Sequence, residues 1–236
     1  MMEEVRKRLK EAKKVVVLTG AGISQESGIP TFRGRDGLWK NYKPEELATP
    51  EAFRRNPQLV WEWYNWRREI IRKAEPNPAH LALVELEKRY PFFYLITQNV
   101  DGLHQRAGNK NVLELHGNIW RNFCFECGKE YRGEITPEVP RCECGGYIRP
   151  GVVWFGEPLP ADVLRKAWEV SAQVEVFLVI GTSGVVQPAA SLPLVAKEHG
   201  AWVVEINPQE TALTPWVDAS LRGTACQLLP EIVKGG

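Results

Sequence analysis

One form recurs four times along this chain and limits what it can fold into: a short apolar run that ends in a Gly, Asn, Asp or Ser turn. Residues 15–19 read "VVVLT" and run into "GAGISQESGIP". The same form returns in "FFYLITQNVDG" (92–102), "VEVFLVIGTSG" (174–184) and "AWVVEIN" (201–207). Strands apolar on both faces suit a parallel sheet covered by helices on each side. Helical stretches lie between them. "NPAHLALVELEKRY" offers Asn77 as N-cap and Pro78 at the first helical position, and "PAASLPLVAKEHG" predicts a second helix ending near Gly200. The alternation predicts an open α/β sheet with ligands beyond the carboxyl ends of its strands.

Two stretches break the alternation. Residues 33–75 are polar, aromatic and helix-like, and residues 121–149 are short, turn-rich and cysteine-bearing. Both are expected to form a smaller module beside the sheet. The large domain would then comprise about 1–32, 76–120 and 150–236, with a helical insertion at 33–75 and a zinc ribbon at 121–149.

Cys124 and Cys127 stand two residues apart with Gly128 following, and Cys142 and Cys144 stand one residue apart with Gly145 and Gly146 following. Four thiolates in two close pairs suit tetrahedral zinc, and a closed site of this kind is structural. The spacing at 142–144 is tighter than in the usual zinc-ribbon pair. Bunched cysteines fit a metal site in a reducing compartment, so a cytoplasmic location is expected. Cys226 stands apart and is expected to be a small buried residue. A net charge of +1 argues against a dominant nucleic-acid footprint. The start "MMEEVRKRLKEAKK" has no apolar core of a signal peptide, and no apolar run is long enough to span a membrane.

"TGAGIS" places Gly20 and Gly22 where backbone could approach a pyrophosphate, although Gln25 occupies the third glycine position of the dinucleotide pattern. A tight turn alone would use the same glycines. "SGIPTFRGRDGLW" carries Arg33, Arg35 and Asp36 in a loop able to fold over an anion, or simply a solvated charged loop. "TQNVDG" sets Gln98, Asn99 and Asp101 at a strand end, suited to a polar ring or sugar, or to turn geometry. His116 in "LELHGNIW" is a general-base candidate. His80, His104 and His199 are given no catalytic role.

Taken together, "GAGISQESGIPTFRGRDGLW", "TQNVDGLHQRAG", "ELHGNIW", the cysteine pairs, "RPGVVWFGE", "GTSGVVQPAA" and "INP" resemble the sirtuins, the NAD-dependent protein lysine deacylases, from residue 20 to 208. The resemblance implies a Rossmann-like parallel-sheet domain with a smaller zinc-binding and helical module, NAD and an acyl-lysine peptide meeting between them. It implies that Gly20, Ala21, Gly22 and Ser24, with the loop of Thr31, Phe32, Arg33 and Trp39, hold the phosphates and nicotinamide ribose. Gln98, Asn99 and Asp101 would line the ribose and nicotinamide pocket. Gly181, Thr182, Ser183, Asn207 and Ala225 would contact the adenosine half. Val153, Phe155 and Gly156 would face Gly184 and Val185 across an added strand of substrate. His116 would accept a ribose hydroxyl proton while NAD is consumed as co-substrate. Acylated-lysine proteins or peptides are the implied partners, with no membrane or nucleic acid.

In "WEWYNWRREII" (61–71), Tyr64 and Arg67 stand at helical spacing among tryptophans, either as a cation–π surface cluster or as a carboxylate site. They match the Tyr-x-x-Arg pair of class III sirtuins, which implies removal of succinyl or malonyl groups, with deacetylation also expected. Arg gives a carboxylate two parallel hydrogen bonds, and Tyr adds a third. Arg68 is expected to face solvent. The alternatives are a deacetylase without carboxylate preference, a mono-ADP-ribosyltransferase, a dehydrogenase and a zinc-ribbon nucleic-acid binder.

Overall fold

The computed structural model describes residues 1–32 and 38–234. In chain order the elements begin with α1 (Met2–Glu11), β1 (Lys14–Thr19), α2 (Gly22–Gln25), α3 (Pro44–Leu47), α4 (Pro50–Arg55), α5 (Pro57–Lys73) and α6 (Pro78–Glu87). They continue with β2 (Phe92–Thr97), α7 (Leu103–Ala107), β3 (Val112–Glu114), β4 (Gly117–Cys124), β5 (Glu130–Tyr131) and β6 (Ile148–Val152). The chain closes with α8 (Ala161–Ser171), β7 (Val176–Ile180), α9 (Leu192–Glu198), β8 (Trp202–Ile206), β9 (Ala219–Leu221) and α10 (Ala225–Val233).

The four apolar runs become β1, β2, β7 and β8 of a six-stranded parallel sheet ordered β3-β2-β1-β7-β8-β9. Their lack of alternation has the expected cause, because each strand feeds two cores. Val15 and Val17 pack with α1, α6 and α10 on one face, whereas Val16 and Leu18 pack with α8 and α9 on the other. Asn77 caps α6 by accepting from Ala79 and His80, with Pro78 in the first turn, as the sequence predicts.

A second sheet, antiparallel β5-β4-β6, carries the cysteine region. It meets α4 and α5 in a separate apolar cluster that includes Phe53, Val60, Trp63, Ile119 and Trp154. Asn56 caps α5, its side chain accepting from Leu59 N, and Pro57 sits in the first turn.

Two expectations are corrected here. Arg68 does not face solvent: it is 1% exposed. The pairing of β4 with β6 shifts between Asn118 and Asn122, which takes the intervening residues out of the ladder. Arg68 fills that gap, donating from Nε to Ile119 O at 3.0 Å and from Nη2 to Asn122 Oδ1 at 2.7 Å. Burial lowers its pKa to about 10, which leaves it charged at neutral pH. Cys226 is only partly buried, because its place at the start of α10 lies at the edge of the core. Among the described residues, no helix is long and apolar enough to cross a membrane.

Candidate active site

Thr19 is level with Thr97 on one side and Ile180 on the other, so the loops after β1, β2 and β7 leave the sheet together. Chain order reverses between β1 and β7, the place where an open α/β sheet opens a crevice. The two loops there touch backbone to backbone. Gly22 N donates to Gly181 O at 2.9 Å, and a Cβ on Gly22 would lie 2.7 Å from Gly181 Cα. A Cβ on Gly20 would lie 2.8 Å from Gly181 O. Loop-to-loop contact therefore requires these glycines whether or not a ligand is bound.

Beyond the strand ends lies a cleft of about 1300 Å³, bounded by the sheet on one side and by α5 and the segment after β6 on the other. Its polar groups hold one another in place. Asp101 accepts from Ser24 Oγ at 2.7 Å and Leu103 N at 3.0 Å, while burial pushes its carboxyl above the usual range. Asn99 Nδ2 donates to Gly20 O at 3.0 Å. Thr182 Oγ1 donates to Gln98 Oε1 at 2.8 Å, and Asn207 Nδ2 donates to Thr182 O at 3.1 Å. The ends of β1, β2, β7 and β8 are thus knitted across the crevice floor.

His116 lines the cleft between the two sheets, its Nδ1 3.0 Å from Gln98 O. A carbonyl only accepts, so Nδ1 is the protonated nitrogen and Nε2 carries the basic lone pair of the neutral ring.

Tyr64 and Arg67 reach the cleft from α5. Tyr64 is 1% exposed, and its Oη accepts from Trp154 Nε1 at 2.9 Å. Arg67 sits in an aromatic box, its guanidinium 4.4 Å from the centre of Phe32, 5.0 Å from Trp63 and 5.1 Å from Tyr64. It makes no ion pair among the described residues, and its buried Nε has no hydrogen-bond partner among them. Burial lowers its pKa, opposed by the adjacent Tyr64 hydroxyl, to which it hydrogen-bonds, and by the Asp101 carboxyl. Such a guanidinium in an apolar box gains most from an arriving anion.

The other expected residues divide. Ala21, Thr31, Phe32, Ser183 and Ala225 line the cleft, as do Val153, Phe155 and Gly156. Gly20, Gly184 and exposed Val185 do not, nor does Trp39, whose ring lies tilted against Trp66 at 6.4 Å. Arg33 lies outside the described residues, with Arg35 and Asp36. Trp154 also lines the cleft and was missed; the signal available was strand-like alternation, with Phe155 exposed and Trp154 turned inward.

The four cysteine sulfurs all lie within 4.8 Å of one another. Cys124 Sγ is 3.5 Å from Cys144 Sγ, and Cys127 Sγ is 3.7 Å from Cys142 Sγ. A tetrahedron with zinc–sulfur bonds of about 2.3 Å has edges of roughly 3.8 Å, so the set fits zinc. The short 142–144 spacing reaches this geometry through a tight turn, with Cys142 N donating to Gly146 O at 2.7 Å and Gly145 at φ +91°. Backbone N–H groups of Glu126 and Gly146 point at Cys124 and Cys144, as they do at thiolates.

Fold and cleft together define an α/β protein of dinucleotide-binding type carrying a cysteine metal module. Comparison with known proteins is in accord: residues 20–188 match the model of the Sir2 family. The NAD-dependent protein deacylase of Aquifex aeolicus is 62% identical over 223 residues, covering 92% of this chain and 93% of that protein. A crystal structure of a Sir2 homologue–NAD complex superposes with a TM-score of 0.92 at 52% identity, covering 98% of this chain and 92% of the other. A Sir2–p53 peptide–NAD+ complex gives 0.86 at 36% identity, covering 98% and 97%. The chain belongs to the Sir2 family.

Proposed function

We propose that this protein is an NAD-dependent protein lysine deacylase that prefers acyl groups ending in a carboxylate, succinyl or malonyl, and also removes acetyl groups. The observation that carries the preference is Arg67, a guanidinium boxed by three aromatic rings, facing the cleft and without an ion-pair partner among the described residues. The relatives' activity and the NAD complex of a close homologue support the broader reading.

The donor set suits the co-substrate: amides, a hydroxyl and one carboxylate at the strand ends meet a ribose and a carboxamide better than they meet an apolar ligand. NAD supplies a glycosidic bond to nicotinamide, whose departure opens the ribose carbon to the acyl oxygen. Ser24, Gln98, Asn99 and Asp101 would orient that ribose and the carboxamide. Gly181, Thr182, Ser183, Asn207 and Ala225 would hold the adenosine half. His116 would accept a ribose hydroxyl proton at Nε2, with its ring fixed by Gln98 O. Val153, Phe155 and Gly156 would pair with the peptide backbone opposite Gly184 and Val185. The four cysteines would hold zinc as a strut for the small module.

The test compares kcat/KM for succinyl-lysine and acetyl-lysine versions of one peptide, in the native protein and in Arg67→Met. Removing a charge-assisted fork should cost roughly 10- to 100-fold in desuccinylation with a far smaller change in deacetylation. Equal loss of both would reduce Arg67 to packing. ADP-ribose left on protein, with no free lysine, would replace deacylation by mono-ADP-ribosyl transfer.

A further inference from the structure

Trp154 is the inward-turned residue of the cleft-lining segment after β6. Phe155 is exposed and Val153 partly so, while Trp154 is 2% exposed and packs between Phe53 at 5.4 Å and Phe125 at 6.4 Å. Its indole N–H crosses to α5 and donates to Tyr64 Oη. A phenol that accepts such a bond has its own hydrogen directed elsewhere. The guanidinium of Arg67 also bonds the Tyr64 hydroxyl and can only donate to it; among the described residues no carbonyl or carboxylate accepts from Tyr64, so that hydrogen remains to be donated into the cleft.

The indole is itself clamped. Arg149 Nη1 and Nη2 grip Glu157 at 2.6 and 2.8 Å, a two-pronged pair that closes the turn after β6. Glu157 Oε1 accepts from Trp154 N at 2.8 Å, Arg149 Nη2 donates to Val152 O at 2.7 Å, and the guanidinium lies 3.7 Å from the indole centre. The carboxyl of Glu157 is shifted below its ordinary value: burial opposes this, and the hydrogen bonds from Arg149 and Trp154 outweigh it.

We infer that Trp154, held by the Arg149–Glu157 clasp, is a positioning residue for acyl-group selectivity: it turns the Tyr64 hydroxyl into a donor toward the substrate's terminal carboxylate. This rests on the proposed carboxylate preference and deepens it. Tyr64 supplies the hydrogen bond, Trp154 sets its direction, and the clasp fixes Trp154.

The experiment is a double-mutant cycle of Trp154→Phe and Tyr64→Phe, with Arg67→Met alongside, each assayed on succinyl- and acetyl-lysine peptides and by urea denaturation. Phe keeps an aromatic ring there but removes the N–H together with part of the buried indole, and the urea denaturation reports that packing loss separately. Trp154→Phe should lower the succinyl-to-acetyl ratio of kcat/KM by about tenfold, chiefly through KM for the succinyl peptide. In the double variant the ratio should fall no further than in Tyr64→Phe alone, because there is no hydroxyl left to aim. Independent losses that multiply would overturn the inference, as would a ratio that stays at the native value in folded Trp154→Phe. Glu157→Gln, which loosens the clasp without touching the indole, should give a smaller loss of the same ratio, and an unchanged ratio would remove the clasp from the argument. Arg67→Met separates the two levels. If it abolishes selectivity while Trp154→Phe does not, the carboxylate preference stands and this inference falls; if Arg67→Met leaves the ratio intact, the preference itself falls.

Discussion

Lowering the pH from 7 to 5 is expected to remove about 4 kcal/mol of stability through two histidines that do not line the cleft. His80 and His104 are fully buried, with ring centres 5.2 Å apart. Asn77 N donates to His80 Nδ1 at 3.0 Å, and Thr19 Oγ1 lies 2.9 Å from His104 Nε2. The remaining nitrogens, His80 Nε2 and His104 Nδ1, have no partner among the described residues. Burial therefore pushes the pKa of His80 down to about 4 and that of His104 to about 3, the latter lowered further by its neighbour. Both folded values lie below the ordinary one of about 6.5, so the unfolded chain takes up protons that the folded chain refuses. Their contribution is complete above about pH 6.5 and declines as the pH falls, until the folded rings titrate near 4 and 3. At pH 5 an unfolded histidine is protonated by about thirty to one, which is about 2 kcal/mol for each ring. This figure barely depends on how far below 5 the folded values lie.

Asp101, with its raised carboxyl, opposes part of this trend. The effect is therefore read as a difference against the double variant His80→Gln, His104→Gln. Gln is the ordinary third-position partner of a capping box, the place His80 holds in α6, and at 104 it keeps an N–H for Thr19. Urea denaturation at pH 7, 6 and 5 should show the native chain losing about 4 kcal/mol more than the variant. Parallel losses would refute the assignment of the pair.

Two further outcomes follow from the geometry. Gly22→Ala should destabilise the fold by about 2 kcal/mol or more, since its Cβ would meet Gly181 Cα at 2.7 Å with backbone on both sides; a melting temperature equal to the native one would contradict the close loop contact. Arg68→Met should cost about 2–4 kcal/mol by stranding Ile119 O and Asn122 Oδ1, measurable by chemical denaturation, whereas a surface arginine would change stability by less than about 0.5 kcal/mol.

The parallel sheet was legible because strands buried on both faces leave a continuous apolar signature, and four of its six strands carry one. β3 and β9 are three residues each and have no such pattern to read. Residues gathered at the strand ends were legible because strand termini are where polar groups can stay wet. Arg68 was misread because its charge outweighed its position: Tyr64, Arg68 and Ile71 share one helical stripe, and all three are buried. What admits a cation to that stripe is a set of neutral acceptors freed by the irregularity in β4, far along the chain. Trp154 was missed for a similar reason, since its partner lies 90 residues away on α5.

β4 begins one residue after His116 and ends on Cys124. It pairs with β6, which leads directly into Val153, Trp154 and Phe155. One ribbon thus joins the proposed proton acceptor, the proposed peptide edge and a thiolate of the metal cluster. Displacement at the cysteines would be transmitted along that ribbon as a change of alignment rather than of chemistry. A thiol-directed poison or chelator acting there would behave as an inhibitor that never enters the cleft, slowing turnover without competing with either substrate. Its action would be on the small module's shape, and excess peptide would not relieve it.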